Sequence, residues 1–453
     1  MFTLRDVFFA FVVMALLLLV GRYLKYRLRW LQRLYLPESI VAGVLALGLT
    51  QLGLVAPPIR EVWRQVPGLF INLVFAALFL GETIPTPVAI WRKAAPQVVF
   101  GQALAWGQYV VGILVTGILL VPLFNAHPLN AVLIEIAFEG GHGTAAGMAD
   151  TLRQLGFQAG PDLALALATV GIVSGIIAGT ALAAWGRRQG HVQSFTTPVP
   201  DQEWFSHQET PAVQQKRAKL LSHLLIDPLS LNLGFVGLAV SIGWLLLQGL
   251  MLLENRTWGT TGVKVMAYVP LFPMALIGGM LVQLAMQWLG LDCLILRPLV
   301  QRIAGTALDA LIVAALASMS LVAIGQNLGP FLLLSAAGIL WNVGFFLYYA
   351  PRLFPDYWFE KGIADLGQSM GVTATGLLLL RMVDPALRSG ALESFAYKQL
   401  LFEPIVGGGL FTAAAPVLIH TWGLWPMLGL TGVILTFWLL VGAWLQQSAR
   451  RRL

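Results

Sequence analysis

The sequence predicts an all-α polytopic membrane protein, on three observations: too few charges for a soluble body, apolar runs of membrane length, and basic residues gathered on one side of those runs. Of 453 residues, 58% are hydrophobic and 11% are charged. A soluble chain carries about 25% charged residues, so this one lacks the polar surface to cover a body of its size. The apolar residues cluster in runs of roughly 20, the length a helix needs to cross ~30 Å of hydrocarbon. The single cysteine, Cys293, excludes a disulfide framework and any multi-cysteine metal centre.

Apolar spans fall near 7–21, 39–55, 68–81, 97–121, 162–185, 229–253, 266–289, 307–327, 330–350, 401–420 and 424–445. The first could pass for the core of a signal peptide. Its basic cluster (Arg22, Lys25, Arg27, Arg29, Arg33) follows the run, however, and no small-residue cleavage site comes after it. It reads as a retained helix with its N-terminus outside. Two further stretches, 130–151 and 362–380, are broken by glycine-rich polar sequence. If both are re-entrant, the eleven spans put the C-terminus inside. Lys and Arg then number 22 inside and 6 outside, a positive-inside pattern. If 130–151 alone crossed fully, everything downstream would invert and the bias would collapse. The net charge of +7 is therefore topological, with the lipid bilayer rather than nucleic acid as its partner.

The longest polar stretch, 187–227, holds Pro198, Pro200, Pro211 and a run ending in Lys216, Arg217 and Lys219. It reads as a cytoplasmic linker between a first half, 1–186, and a second, 228–420. The second span of the first half opens Tyr35-Leu36-Pro37-Glu38 and that of the other half opens Tyr268-Val269-Pro270. Each half holds its broken stretch between its fourth and fifth spans. Five spans per half start the second half from the opposite face, so the two broken stretches are expected to enter from opposite sides, the inverted-repeat plan of secondary transporters. Residues 421–453, an extra helix and a basic tail, have no counterpart.

Backbone that leaves helical geometry at membrane depth survives only where protein or a water-filled cavity covers it. The first broken stretch reads Glu135, Glu139, Gly140, Gly141, His142, Gly143, Thr144. Its apolar arms of about nine residues span only ~13 Å each as helix, so a glycine turn at the tip follows. A helix restarting near Thr144 would aim N–H groups at a carboxylate, with His142 and Thr144 adding donors. The second stretch runs Asp365, Leu366, Gly367, Gln368, Ser369, Met370, Gly371, Val372, Thr373, Ala374, Thr375 and Gly376. Unwound backbone with hydroxyl and carboxylate oxygens suits sodium, a hard cation. The expected substrate-binding residues are Glu139, Gly140, Gly141, His142, Gly143, Thr144, Gln368 and Ser369. The expected sodium ligands are Gly371, Thr373, Thr375 and Asp365. Glu139 and Glu403 are candidates for ion or proton coupling, since an intramembrane carboxylate is costly unless paired or hydrated. No other metal and no organic cofactor is expected.

Gly171, Gly175 and Gly179 fit close helix packing, and Asn72, Asn232 and Asn342 fit interhelical hydrogen bonding. Gly367-Gln368-Ser369-Met370-Gly371 satisfies the G-x-S-x-G pattern of serine hydrolases, with His142 the one deep histidine available to Ser369. That elbow needs a strand before the serine, and apolar helical arms flank it here. No H-E-x-x-H, Walker A lysine or strand-borne G-x-G-x-x-G is present.

The string Gly140-Gly141-His142-Gly143-Thr144, the opening Leu36-Pro37-Glu38 with Val41-Ala42-Gly43 behind it, the glycine–threonine loop Gly367–Gly376 and Gly156-Phe157 resemble the sodium:glutamate symporter family. The resemblance runs from about residue 5 to 420. It implies ten spans as two inverted repeats, two re-entrant loops meeting near the middle, sodium as the coupling ion and glutamate uptake across the bacterial inner membrane. Three departures stand out: Glu139 before the glycine pair, Gln368-Ser369-Met370 in the second loop, and the eleventh span. The sequence leaves open the exact amino acid or carboxylate, proton instead of sodium coupling, and a homodimer.

Overall fold

A computed structural model of the chain describes residues 2–33, 36–192, 227–257, 259, 266–385 and 387–450. Most of the expected linker (193–226), Lys264 among the outer charges, and the tail beyond 450 lie outside the described residues. Every regular element described is helical.

The first half gives α1 (Leu4–Arg27), α2 (Glu38–Gln51), α3 (Pro57–Ala76), α4 (Pro87–Phe124), α5 (Pro128–Phe138), α6 (Gly141–Gly147) and α7 (Gly160–Arg188). The second gives α8 (Pro228–Arg256), α9 (Leu271–Trp288), α10 (Arg297–Ala317), α11 (Leu328–Leu353), α12 (Trp358–Val383), α13 (Ala391–Phe402), α14 (Leu410–Trp422) and α15 (Leu424–Arg450). Local chemistry sets many of the starts. Thr3 and Asp6 form a capping box on α1. Prolines open α3, α4 and α8, where a missing N–H costs nothing.

Among the described residues, nine helices (α1, α4, α7–α12 and α15) are long and apolar enough to cross a membrane, while α2, α5 and α14 are apolar but shorter. Several boundaries differ from the hydropathy reading. The span expected at 68–81 is α3, which begins at Pro57 because charged Arg60, Glu61 and Arg64 are carried on its first turns. The span expected at 307–327 ends at Ala317. The largest difference is at 401–420: this is not one helix but α13 and α14, interrupted at 403–409. Gly407 and Gly408 there adopt φ of +72° and +107°, which L side chains rarely tolerate. Averaged hydropathy does not register such a break.

The helices sort into two bundles. In the first, α1, α2, α3, α8, α9 and α10 pack on one another around Trp63, Val66, Val236 and Ala275. In the second, α4–α7 and α11–α15 surround a core holding Phe100, Phe138, Phe346 and Phe402. Each half of the chain thus sends three helices, α1–α3 or α8–α10, to one bundle and its remainder to the other. The seam is glycine against bulky apolar side chains: Gly143 and Gly147 face Ile71, Leu308 and Phe272, and Gly408 faces Phe75.

α7 is the spine of the second bundle, and two chain reversals lean on it. In the first, the helical arms α5 and Gly141–Gln154 return to where they began, with His127 stacked on Phe157 at 4.8 Å beside the start of α7. Gly141, φ +64°, makes the turn. The second lies within α12, where Gly371 and Val372 leave helical geometry. Nine residues of straight helix would hold Gly367 and Gly376 ~13 Å apart. Instead a Cβ on Gly367 would lie 2.7 Å from the Gly376 Cα, so α12 folds back as a hairpin. Its ends sit at the other end of α7, where Gly186 packs on Phe359 and Arg187 donates to the Met382 carbonyl. Both tips reach the middle of α7: Gly171 faces Phe138 and Met370, and Gly175 faces Met370. The close packing that Gly171, Gly175 and Gly179 suggest is packing against these hairpins.

Candidate functional site

The tips touch. A Cβ on Gly141 would run into Val372, and the Ser369 hydroxyl donates to Glu139 Oε1 across the gap. The break between α13 and α14 joins them, since a Cβ on Gly408 would lie 2.6 Å from Thr144 Oγ1. Three interrupted segments thus meet where backbone groups have lost helical partners, and buried side chains replace those partners. Glu135 holds the third break, accepting from Gly407 N at 2.8 Å, Thr412 Oγ1 at 2.7 Å and Tyr109 Oη at 2.6 Å. Gln108 (2.8 Å) and Asn342 (3.1 Å) both donate to the Ser369 carbonyl, which closes the first arm of the α12 hairpin.

Against those bonds, three buried oxygens of the site stand out, Gln108 Oε1, Glu139 Oε2 and Thr144 Oγ1. All three are shielded and have no hydrogen-bond partner among the described residues. Buried polar groups are normally satisfied, and an orphaned carboxylate oxygen is the costlier kind. Glu139 and Thr144 belong to the residues expected to bind substrate. His142, also buried, is engaged by Thr169 Oγ1 at 2.9 Å. His142 and Ser369 therefore have other partners, and the serine lies in a helical arm with no strand before it. The helix expected to restart near Thr144 restarts at Gly141.

Of the expected sodium ligands, Gly371, Thr373 and Thr375 lie at the second tip and Asp365 lies apart from them. Thr373 Oγ1 accepts from Gln399 Nε2 at 2.8 Å, and Thr375 Oγ1 donates to the Gly371 carbonyl at 2.5 Å. Asp365 lies about a turn and a half before the tip and is held by a residue the sequence reading missed, Lys398 of α13. The Lys398 ammonium is fully buried, 2.9 Å from Asp365 Oδ1 and 2.7 Å from Gln368 Oε1. Gln97 Nε2 donates to the other Asp365 oxygen at 2.7 Å. A sodium ion on Asp365 would sit ~3 Å from that ammonium, a repulsion of about 5 kcal/mol at an effective dielectric of 20. Gln368 likewise serves Lys398. Glu403 closes α13 beside Thr373 and Gly407, at the margin of the third break.

Hydropathy and charge counting place Lys398 among the cytoplasmic cations. A signal was present nonetheless: Phe395 and Phe402 lie three residues before and four after it, on one helix face, and the ammonium rests 4.0 Å from the Phe402 ring centre. Asn232 and Asn342 bridge helices as expected, whereas Asn72 bonds only within its own helix.

Fold and site together define a multi-pass α-helical membrane protein organised around interrupted helices that enclose a polar centre. The family model for the sodium/glutamate symporter matches residues 4–348, and the chain belongs to that family. A curated relative, the sodium/glutamate symporter of Haemophilus influenzae, is 28% identical over 213 residues, 43% of this chain and 48% of the relative. The match thus spans about half the length of that relative. The Gly140–Thr144 tip lies inside the family match, whereas the α12 hairpin, Lys398 and the third break lie beyond its end.

Proposed function

We propose that the chain is a sodium-coupled symporter of an amino acid or carboxylate, glutamate foremost, working in the bacterial inner membrane. The observation that carries this reading is the meeting of two chain reversals, one from each end of α7, at the unpartnered oxygens of Glu139 and Thr144. In the membrane these reversals are re-entrant loops of two inverted repeats, one entering from outside and one from inside. Protein buries Gly141 and Gly371, whereas Val372 and Thr373 are half-buried and Ala374 is exposed. That edge of the second tip then faces a water-filled cavity, the other surrounding that freed backbone tolerates at membrane depth.

The site suits a zwitterion. The substrate ammonium goes to Glu139 Oε2, which no other group engages, and a substrate carboxylate goes to the Thr144 hydroxyl and the glycine amides beside it. The extra carboxylate of this chain is then an ammonium ligand rather than a repulsive neighbour of a dianion. Sodium takes oxygens at the second tip around Gly371, Thr373 and Thr375, with Asp365 removed from the set because Lys398 holds it. Alternating access requires one bundle to shift against the other. The seam offers glycine opposite Ile71, Phe75, Phe272 and Leu308, with few polar bonds to break.

The test is uptake into proteoliposomes of a panel of labelled amino and dicarboxylic acids, with and without a sodium gradient. Glutamate uptake that needs the gradient supports the proposal. Uptake that persists in sodium-free medium under a pH gradient would replace it with proton coupling through Glu139 or Glu403.

A further inference from the structure

Lys398 is the one fully buried lysine among the described residues, and its surroundings are those of a dehydrated monovalent cation. Asp365 and Gln368 stand three residues apart on one face of α12, one offering a carboxylate oxygen at 2.9 Å and the other an amide oxygen at 2.7 Å. The Phe402 ring face closes a third side at 4.0 Å, and the Phe395 ring lies 5.1 Å away. These are carboxylate, amide and π-face partners, each favourable to a cation out of water. The path to that place is also prepared. A Cβ on Gly101 of α4 would lie 2.8 Å from the Lys398 Cδ and 3.0 Å from its Nζ, so the stem packs directly on this glycine and a side chain there would have to displace it. Gln97, one turn earlier on α4, steadies the far Asp365 oxygen at 2.7 Å.

An ion pair kept merely for stability would be a poor solution here, because buried pairs are often matched or bettered by apolar residues of similar volume. Position supplies a reason for keeping it. The residue after Gln368 is Ser369, which bonds Glu139 across the tips, so this cation sits on the arm that carries the second tip.

We propose that Lys398 is a tethered cation: its ammonium permanently fills a monovalent-cation site formed by Asp365 and Gln368, in place of one dissociable sodium ion. The proposal rests on the sodium-symport reading for its consequence, namely that the cycle carries one sodium ion fewer than its oxygen ligands would otherwise hold. The site itself is independent of that reading. Removing the ammonium while leaving its ligands should open the site to sodium.

The experiment counts sodium directly, without transport, using radiolabelled sodium on the full-length protein in nanodiscs. Lys398→Met is expected to bind one more sodium ion per chain than the unmodified protein, and Lys398→Met combined with Asp365→Asn should lose the added ion. A folded Lys398→Met protein with an unchanged count overturns the proposal and leaves Lys398 as a clamp between α12 and α13. Should Lys398→Met be too unstable to count, its thermal unfolding reads the same site: a midpoint that rises with sodium chloride but not with N-methylglucamine chloride is expected. An equal response to the two salts overturns the proposal, as does a sodium count in the double variant below that of the unmodified protein. If the unmodified protein binds no sodium while Lys398→Met binds one, the tethered cation stands and sodium symport falls.

Discussion

The two hairpins both break at a glycine, Gly141 and Gly371, and are largely buried, yet they differ in how their polar atoms are satisfied. In the α12 hairpin, Asp365 and Gln368 are held by Lys398, the Ser369 carbonyl by Gln108 and Asn342, and Thr373 by Gln399. At the first tip, Glu139 Oε2 and Thr144 Oγ1 are buried without partners among the described residues. The α12 hairpin's own polar atoms are thus held, although Gln108 Oε1 and Gln399 Oε1 behind them have no partner among the described residues. A bonded network favours one geometry, whereas an unsatisfied pair of oxygens at the meeting point is open to a ligand that brings its own donors. Under the proposed function the contrast is a division of labour: the second hairpin is held in shape, and the first presents the groups proposed to meet substrate.

The largest expected effect breaks the lock. In sodium-free buffer, Lys398→Met should destabilise the protein by roughly 3–5 kcal/mol, the cost of stranding a buried charge, and adding Asp365→Asn should recover most of it. Thermal unfolding of the purified variants measures both. An equal loss in the single and double variants would mean that packing, not charge, sets the effect. Next comes Gly141→Ala, which puts a Cβ into Val372 on a backbone with φ +64°. A strained residue costs on the order of 1–3 kcal/mol, so transport should be lost while the protein remains folded by circular dichroism.

Glu139→Gln tests the open side of the contrast. With the substrate ammonium on Oε2, affinity for an amino acid should fall tenfold or more, about 1.4 kcal/mol or above, while a dicarboxylate lacking the ammonium should lose less. Equilibrium binding with the two ligand classes separates these outcomes, and equal losses would remove Glu139 from ammonium recognition. The smallest expected effect is Ser369→Ala. It deletes one hydrogen bond worth about 1 kcal/mol and should leave partial transport, whereas an enzyme using this hydroxyl as nucleophile would lose all activity.

Much of the fold was legible in the sequence because membrane physics writes it in composition. Runs such as 7–21 and 229–253 are apolar on all sides and appear as α1 and α8. The glycine breaks at 140–143 and 371 were visible because glycine and polar residues interrupt apolar sequence there. The break at 403–409 was less so: Glu403, Pro404 and Gly407–Gly409 stood out singly, but flanking residues kept the average hydropathy high. Family resemblance was legible in the Gly140–Thr144 string, which lies within the matched region. Lys398 was legible only faintly, through Phe395 and Phe402 on its own helix face, since a charge near a span end normally reaches for the interface; the packing shows it turned inward beneath Phe402. Glu135 was noted without a role, because its partners Tyr109, Gly407 and Thr412 are remote in sequence.

The central claim is that the two hairpins enter from opposite faces and meet at the middle of α7. Gln158 and Asp356 are exposed and lie at the ends of the first and second hairpins. In a Cys293→Ser background, an impermeant thiol reagent applied to intact cells should label Gln158→Cys from outside. It should reach Asp356→Cys only after the membrane is opened. Labelling of both variants from the same side would contradict the account.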